Sequence, residues 1–218
     1  VATFQSTPVF PDGSLALADL DIDGGTDIGA DIVDADLFII DDGAGGTNRK
    51  TAASRLKTYI GGGITAASQW RLTTSFTGEA DTMDSNLEEV DTDGGGVIGT
   101  SMTESSGIFT FPSTGYWLIT FTLSAYNGAS FDYSTGIILT TTNNSSYDAA
   151  AESDTNIVYV GDQTPKNSAT TSFLFDVTST TNCKVHFKVS NSTGGAIGTT
   201  GNTAKNTTYF TFVRLGDT

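Results

Sequence analysis

Residues 107–125 read GIFTFPSTGYWLITFTLSA, and the alternation inside this stretch decides the fold. From Gly115 onward the odd positions Trp117, Ile119, Phe121, Leu123 and Ala125 are apolar, while Thr120, Thr122 and Ser124 between them are polar. Successive side chains of a strand point to opposite faces, so a period of two predicts a β-strand with one face in a core. Pro112 and Gly115 mark the turn joining it to an earlier strand around Phe109. Phe109, Trp117, Ile119 and Phe121 are expected to be buried and structural.

The rest of the chain supports an all-β reading. Thr and Ser are abundant, and 25 Gly stand against 4 Pro and 16% charged residues, a composition that favours strands and turns over helix. At 218 residues the chain suits one large domain, or a head of about 150 residues with a smaller appendage. Strand patterns recur at 70–76, 86–90, 107–111, 116–126, 136–142, 156–160, 170–177, 183–190 and 207–215, with Gly, Asn, Ser and Asp turns between them.

The spacing Phe109, five residues, Gly115, then Trp117, Ile119 and Phe121 resembles the central signature of the C1q/TNF-like jelly roll. Trp117 and Ile119 stand where that family usually has Tyr and Phe. The resemblance implies an all-β jelly-roll head that assembles as a homotrimer. The last strand, TTYFTFVRL, carries Tyr209, Val213 and Leu215 on one face and Phe210 and Phe212 on the other. Apolar faces left over from one core mark an interface, and in the family resembled the closing strand lies near the threefold axis. Tyr209, Phe210, Phe212, Val213 and Leu215 are therefore expected at a trimer interface, with Phe212 where the family usually ends on Gly.

Charge excludes some partners. The net charge is −15 with ten Lys and Arg in all, whereas nucleic acids and anionic membrane surfaces attract clustered cations. Residues 1–42 hold ten Asp and no Lys or Arg, while Arg49, Lys50, Arg55 and Lys57 crowd into one short stretch. That asymmetry suggests an acidic lead-in followed by a separate basic module. No signal peptide and no membrane-spanning run are read, and Val1 in place of Met makes the missing export signal weak evidence.

Four segments follow. Residues 1–36 have too few large side chains for a core and are expected to form an extended acidic attachment arm. Residues 37–60 read as a hairpin and a short helix with Ser54 as N-cap. Residues 61–68 are a Gly-rich hinge, and 69–218 the head. The block DADLFIIDDGAGGTNRKTAASRLKTYI is similar to a small hairpin-helix element that recurs in fibre and appendage proteins of bacteriophages, marine ones in particular. That resemblance implies a virion structural protein, exposed on the particle surface and docked to other virion proteins through its N-terminal segment.

Chemistry has few candidates. Asp19, Asp21 and Asp23 open like a calcium loop, but Ala30 stands where the bidentate Glu belongs; the same spacing arises when Leu20 and Ile22 pack inward on an extended strand. Asp91 and Asp93, with Glu88 and Glu89, form a second acidic loop. No cofactor is expected beyond that possible calcium. The single Cys183 alternates inward with Val185, Phe187 and Val189, which leaves His186 with Lys184 and Lys188 on the outer side, where it is expected to be exposed. A lone surface His is a poor base for nucleophilic catalysis, and no enzyme is expected. Gly43–Gly46, Gly61–Gly63 and Gly94–Gly96 lack the context of a phosphate loop and read as turns. A phage fibre or appendage whose head meets a host surface is the first reading; a capsid cement protein and a secreted bacterial adhesin are the alternatives, with a glycan depolymerase as the residual enzyme reading.

Overall fold

Period-two patterning becomes strand nearly throughout. The computed structural model describes residues 29–41, 48–60, 63–127, 132–158, 161, 163–192 and 197–218. The chain divides into two compact units, Val1–Gly61 and Gly62–Thr218. In the first lie strands β1 (Leu37–Asp41) and β2 (Asn48–Ala52) and helix α1 (Ala53–Ile60). The second holds β3 (Ala67–Leu72), β4 (Phe76–Thr77), β5 (Leu87–Glu89), β6 (Thr103–Ser105), β7 (Ile108–Thr110) and β8 (Gly115–Asn127). It continues with β9 (Asp132–Thr141), β10 (Asp148–Ile157), β11 (Lys166–Val177), β12 (Lys184–Asn191), β13 (Ile197–Thr199) and β14 (Tyr209–Gly216).

In the first unit β1 and β2 form an antiparallel hairpin, Leu37 opposite Ala52 and Ile39 opposite Lys50. The helix starts at Ala53, so Ser54 lies in its first turn and is not the N-cap expected from sequence. Backbone carbonyls cap the helix instead. Ala53 N donates to Asp36 O at 2.8 Å and Ser54 N to Asp34 O at 3.4 Å, which satisfies donors that a helix start leaves without intrahelical partners.

The second unit is a sandwich of two antiparallel sheets. One runs β10-β9-β12-β7-β6; the other runs β4-β13-β8-β14-β3-β5, with β11 on the remaining side of β8. Strand β8 is the spine of the second sheet, paired to β11 over nearly its whole length and to β14 and β13 along its other edge. Its odd residues face inward: Trp117, Ile119 and Phe121 are buried together with Phe109 of β7 in one core cluster fed by both sheets. Phe187 of the first sheet stacks on Phe210 of the second at 3.9 Å, and Phe109 packs edge-on against Trp70 at 5.4 Å. Gly115 has φ +131°, and a Cβ there would meet Gly216 O at 2.3 Å, so the strand can enter the sheet here only as glycine.

Several expectations need correction. Phe210 and Phe212 are 0% exposed and belong to the protomer's own core, because β14 sits between β8 and β3 and turns these side chains toward the first sheet. They are unavailable to a trimer interface. The first head strand begins at Ala67, inside the span read as hinge. Strand β10 occupies 148–157, where only a strand at 156–160 was expected, and β6 and β13 carried no recognised signal. The acidic triplet Asp19, Asp21 and Asp23 lies outside the described residues.

Candidate functional site

The outward face of the seven-stranded sheet is built from rows of directly opposed residues. Leu174, Leu118, Val213 and Ala67 form one row across β11, β8, β14 and β3. Leu174 is 53% exposed and Leu215, farther along β14, 54%; Ile98, bridged to Ala67, is 50% exposed. The next row is polar, with Ser172, Thr120, Thr211 and Gln69 in register and Gln69 Nε2 donating to Thr211 Oγ1 at 3.1 Å. Tyr209, opposite Thr122, ends the patterned region. Of the residues expected at an interface, Tyr209 and Val213 share this face, and Leu215 is exposed where the register of β14 on β8 shifts between Arg214 and Gly216; Leu174, Leu118 and Ile98 were not among the expected residues. An outward apolar row, half-buried within the sheet and open at Leu174, flanked by hydroxyl-bearing residues, suits a surface that meets another surface.

Beside it the second acidic loop is held by a buried cation. Arg71 is 1% exposed; its Nε donates to Glu88 Oε1 at 2.7 Å and its Nη1 to Thr92 Oγ1 at 3.1 Å, with Asp91 at 3.8 Å. Glu89 accepts from the Ser101 hydroxyl. These carboxylates are committed to the fold, and among the described residues no group of three or more His, Cys, Asp or Glu side chains could hold a metal ion. Arg71 had no signal in the sequence, because its partners come from a loop about twenty residues on.

His186 differs from its expected place. It lies on the outer side of β12 as the alternation requires, yet it is only 8% exposed. Tyr147 covers it edge-on at 4.6 Å, and Thr82 Oγ1 lies 3.4 Å from its Nδ1. Burial pushes its pKa below the ordinary 6.5, with Lys188 adding to the effect. Asp81 is bound to Lys188 at 2.5 Å, and that hydrogen bond and charge hold its carboxyl below the usual range. Cys183 is fully buried in the core.

The outer face of the five-stranded sheet carries a shallow groove of about 410 Å³, lined by Tyr133, Thr135, Ile137, Glu152, Asp154, Asn156 and Ser190. Tyr133 is 44% exposed at one end, and Thr135 on the floor donates to Asp154 Oδ1 at 2.5 Å. These residues come from β9, β10 and β12, which present their side chains outward. The arrangement can receive a ligand by hydrogen bonding and aromatic contact.

Solved structures share this sandwich. Eiger TNF from S. frugiperda superposes over 72% of this chain and 95% of its own, with a TM-score of 0.53 and 12% identity. Murine APRIL at pH 5.0 covers 69% of this chain and 98% of its own, with a TM-score of 0.49 and 10% identity. The head has a TNF-like jelly-roll fold. No family model matches the chain, and neither does any curated protein. Among the described residues no helix is long and apolar enough to cross a membrane.

Proposed function

We propose that the chain is a trimeric binding protein of a virion appendage, whose TNF-like head meets a host-surface molecule and leaves it chemically unchanged. The observation that carries this reading is the half-buried apolar row of Leu118, Val213 and Ala67 ending in exposed Leu174, with exposed Ile98 and Leu215 nearby. The resemblance to that fold class implies a homotrimer with the closing strand, here β14, near its threefold axis, and Val213 of this face lies on β14. The hairpin-helix resemblance of residues 34–60 supports a place on a phage particle. In the same unit Ile32, Val33, Leu37 and Ile39 are exposed, an apolar set suited to docking on another virion protein. Those side chains equally suit a cement protein that grips a capsid shell, which is the second reading.

The test uses the full chain with intact host cells and purified particles. The protein should bind cells, compete with particle adsorption and leave surface glycan chain length unchanged. Release of oligosaccharides would move it to the depolymerase class, and binding to capsid shells alone would favour the cement reading.

A further inference from the structure

At one end of the sandwich the inward side of the five-stranded sheet turns polar. Ser134 on β9 stands directly opposite Asn191 on β12 and Thr155 on β10. All three are buried. Further along the same inward face the equivalent row carries Phe187, Ile138 and Ala151, so the change from apolar to polar is local. Among the described residues Ser134 Oγ, Thr155 Oγ1 and both amide atoms of Asn191 have no hydrogen-bond partner. Thr199 Oγ1 is in the same condition on β13, a strand of the other sheet that packs against β9. Native interiors leave few such atoms, and each asks for a partner.

The chemistry of the row selects that partner. Asn191 Oδ1 needs a donor and its Nδ2 an acceptor, while each hydroxyl can do both. A cation would serve the oxygens and leave Nδ2 unmet; an anion would do the reverse. Directly opposed side chains have Cβ atoms about 5 Å apart, a gap that a bridging water spans with two hydrogen bonds of about 2.8 Å. Asp132, two residues from Ser134, is occupied elsewhere, its Oδ1 accepting from Tyr133 N at 2.9 Å.

We propose that Asn191, Ser134 and Thr155 form an internal hydration site, holding water between the two sheets as a structural ligand. Buried waters of this kind make about three hydrogen bonds to polar groups that would otherwise go unmet. The site stands independently of the function proposed above.

Oxygen-17 magnetic relaxation dispersion on the full chain counts slowly exchanging internal waters. The wild type should show them, Ser134→Ala combined with Thr155→Val should lose at least one, and Thr155→Ser, which keeps the hydroxyl, should retain the wild-type count. Equal dispersion in the wild type and the double variant would overturn the proposal. A crystal structure gives a second readout: a solvent peak bonded to two of the three side chains supports it. Direct hydrogen bonds among the three with no peak, or an anomalous calcium signal there after a calcium soak, would contradict it.

Discussion

Phe121 sits between Phe187 at 5.2 Å and Phe210 at 5.2 Å, so its ring joins the two sheets directly. Phe121→Ala should lower unfolding free energy by about 3–5 kcal/mol, the usual cost of emptying a large aromatic site. Thr122→Ala, one residue on and facing outward, should change it by less than about 0.5 kcal/mol. Denaturant titrations of both variants check the register. Equal effects would mean the faces are assigned the wrong way round. His186 offers a second test at this scale. Its folded pKa is depressed by burial beneath Tyr147, with Lys188 and Asp81 the nearest charges, so the unfolded chain takes up a proton more readily than the folded one. The stability this contributes is present above pH 6.5 and is lost as pH falls toward the folded pKa. A thermal midpoint measured from about pH 7.5 to about pH 5 should therefore fall, and His186→Gln should flatten the fall above the carboxylate range. His186 is the one histidine of the chain, so its ring proton signals report the same titration without overlap. A titration midpoint in the native protein at or above 6.5 would refute the covered setting.

At the scale of elements, what the sequence could reveal depended on how much of a strand is buried. Trp117, Ile119 and Phe121 alternate with Thr120 and Thr122 because β8 has core on one side and an outward face on the other, and that contrast is visible without coordinates. Strand β10, DAAAESDTNI, is an edge strand whose buried residues are Thr155 and Ile157 near one end. It needs few apolar residues, and its alanines and acids are depleted in strands generally, so it reads as loop. The closing strand misled in a different way: both faces are apolar, and only the pairing of β14 between β8 and β3 shows that Phe210 and Phe212 fill the protomer core. The cover on His186 was equally illegible, since Thr82 lies 104 residues away. Arg71 supplies the prediction here. Because its side chain is 2% exposed and that of Glu88 37%, Glu88→Ala strands a buried guanidinium, whereas Arg71→Met leaves a carboxylate that water can reach. Glu88→Ala should cost about 2 kcal/mol and Arg71→Met, which removes the charge but keeps most of the buried bulk, no more, the exposure of Glu88 scaling down the usual penalty for breaking a buried pair. The reverse order in thermal or denaturant unfolding would contradict the pairing that fixes the loop after β5.

For the whole molecule, a TNF-like sandwich of low sequence identity carries a partly exposed apolar row on the outward face of its seven-stranded sheet. Mild proteolysis between the two compact units, near Gly61–Gly63, should release a head that unfolds with the same midpoint as in the full chain if Gly62–Thr218 folds as a unit. The outward sheet face decides the rest. Replacing Leu174 or Val213 with Asp places a charge on that face without entering the core, so the protomer keeps its fold while assembly fails. Phe210→Asp, by contrast, should unfold the protomer itself, since that side chain is fully buried. The measurement that bears most directly on the proposed trimer is the solution mass of the full chain and of the Leu174→Asp and Val213→Asp variants by light scattering at micromolar concentration. Three times the chain mass of 22.7 kDa for the wild type, with folded monomers for both variants, is the predicted result; a stable wild-type monomer, or trimers unaffected by either substitution, would contradict it.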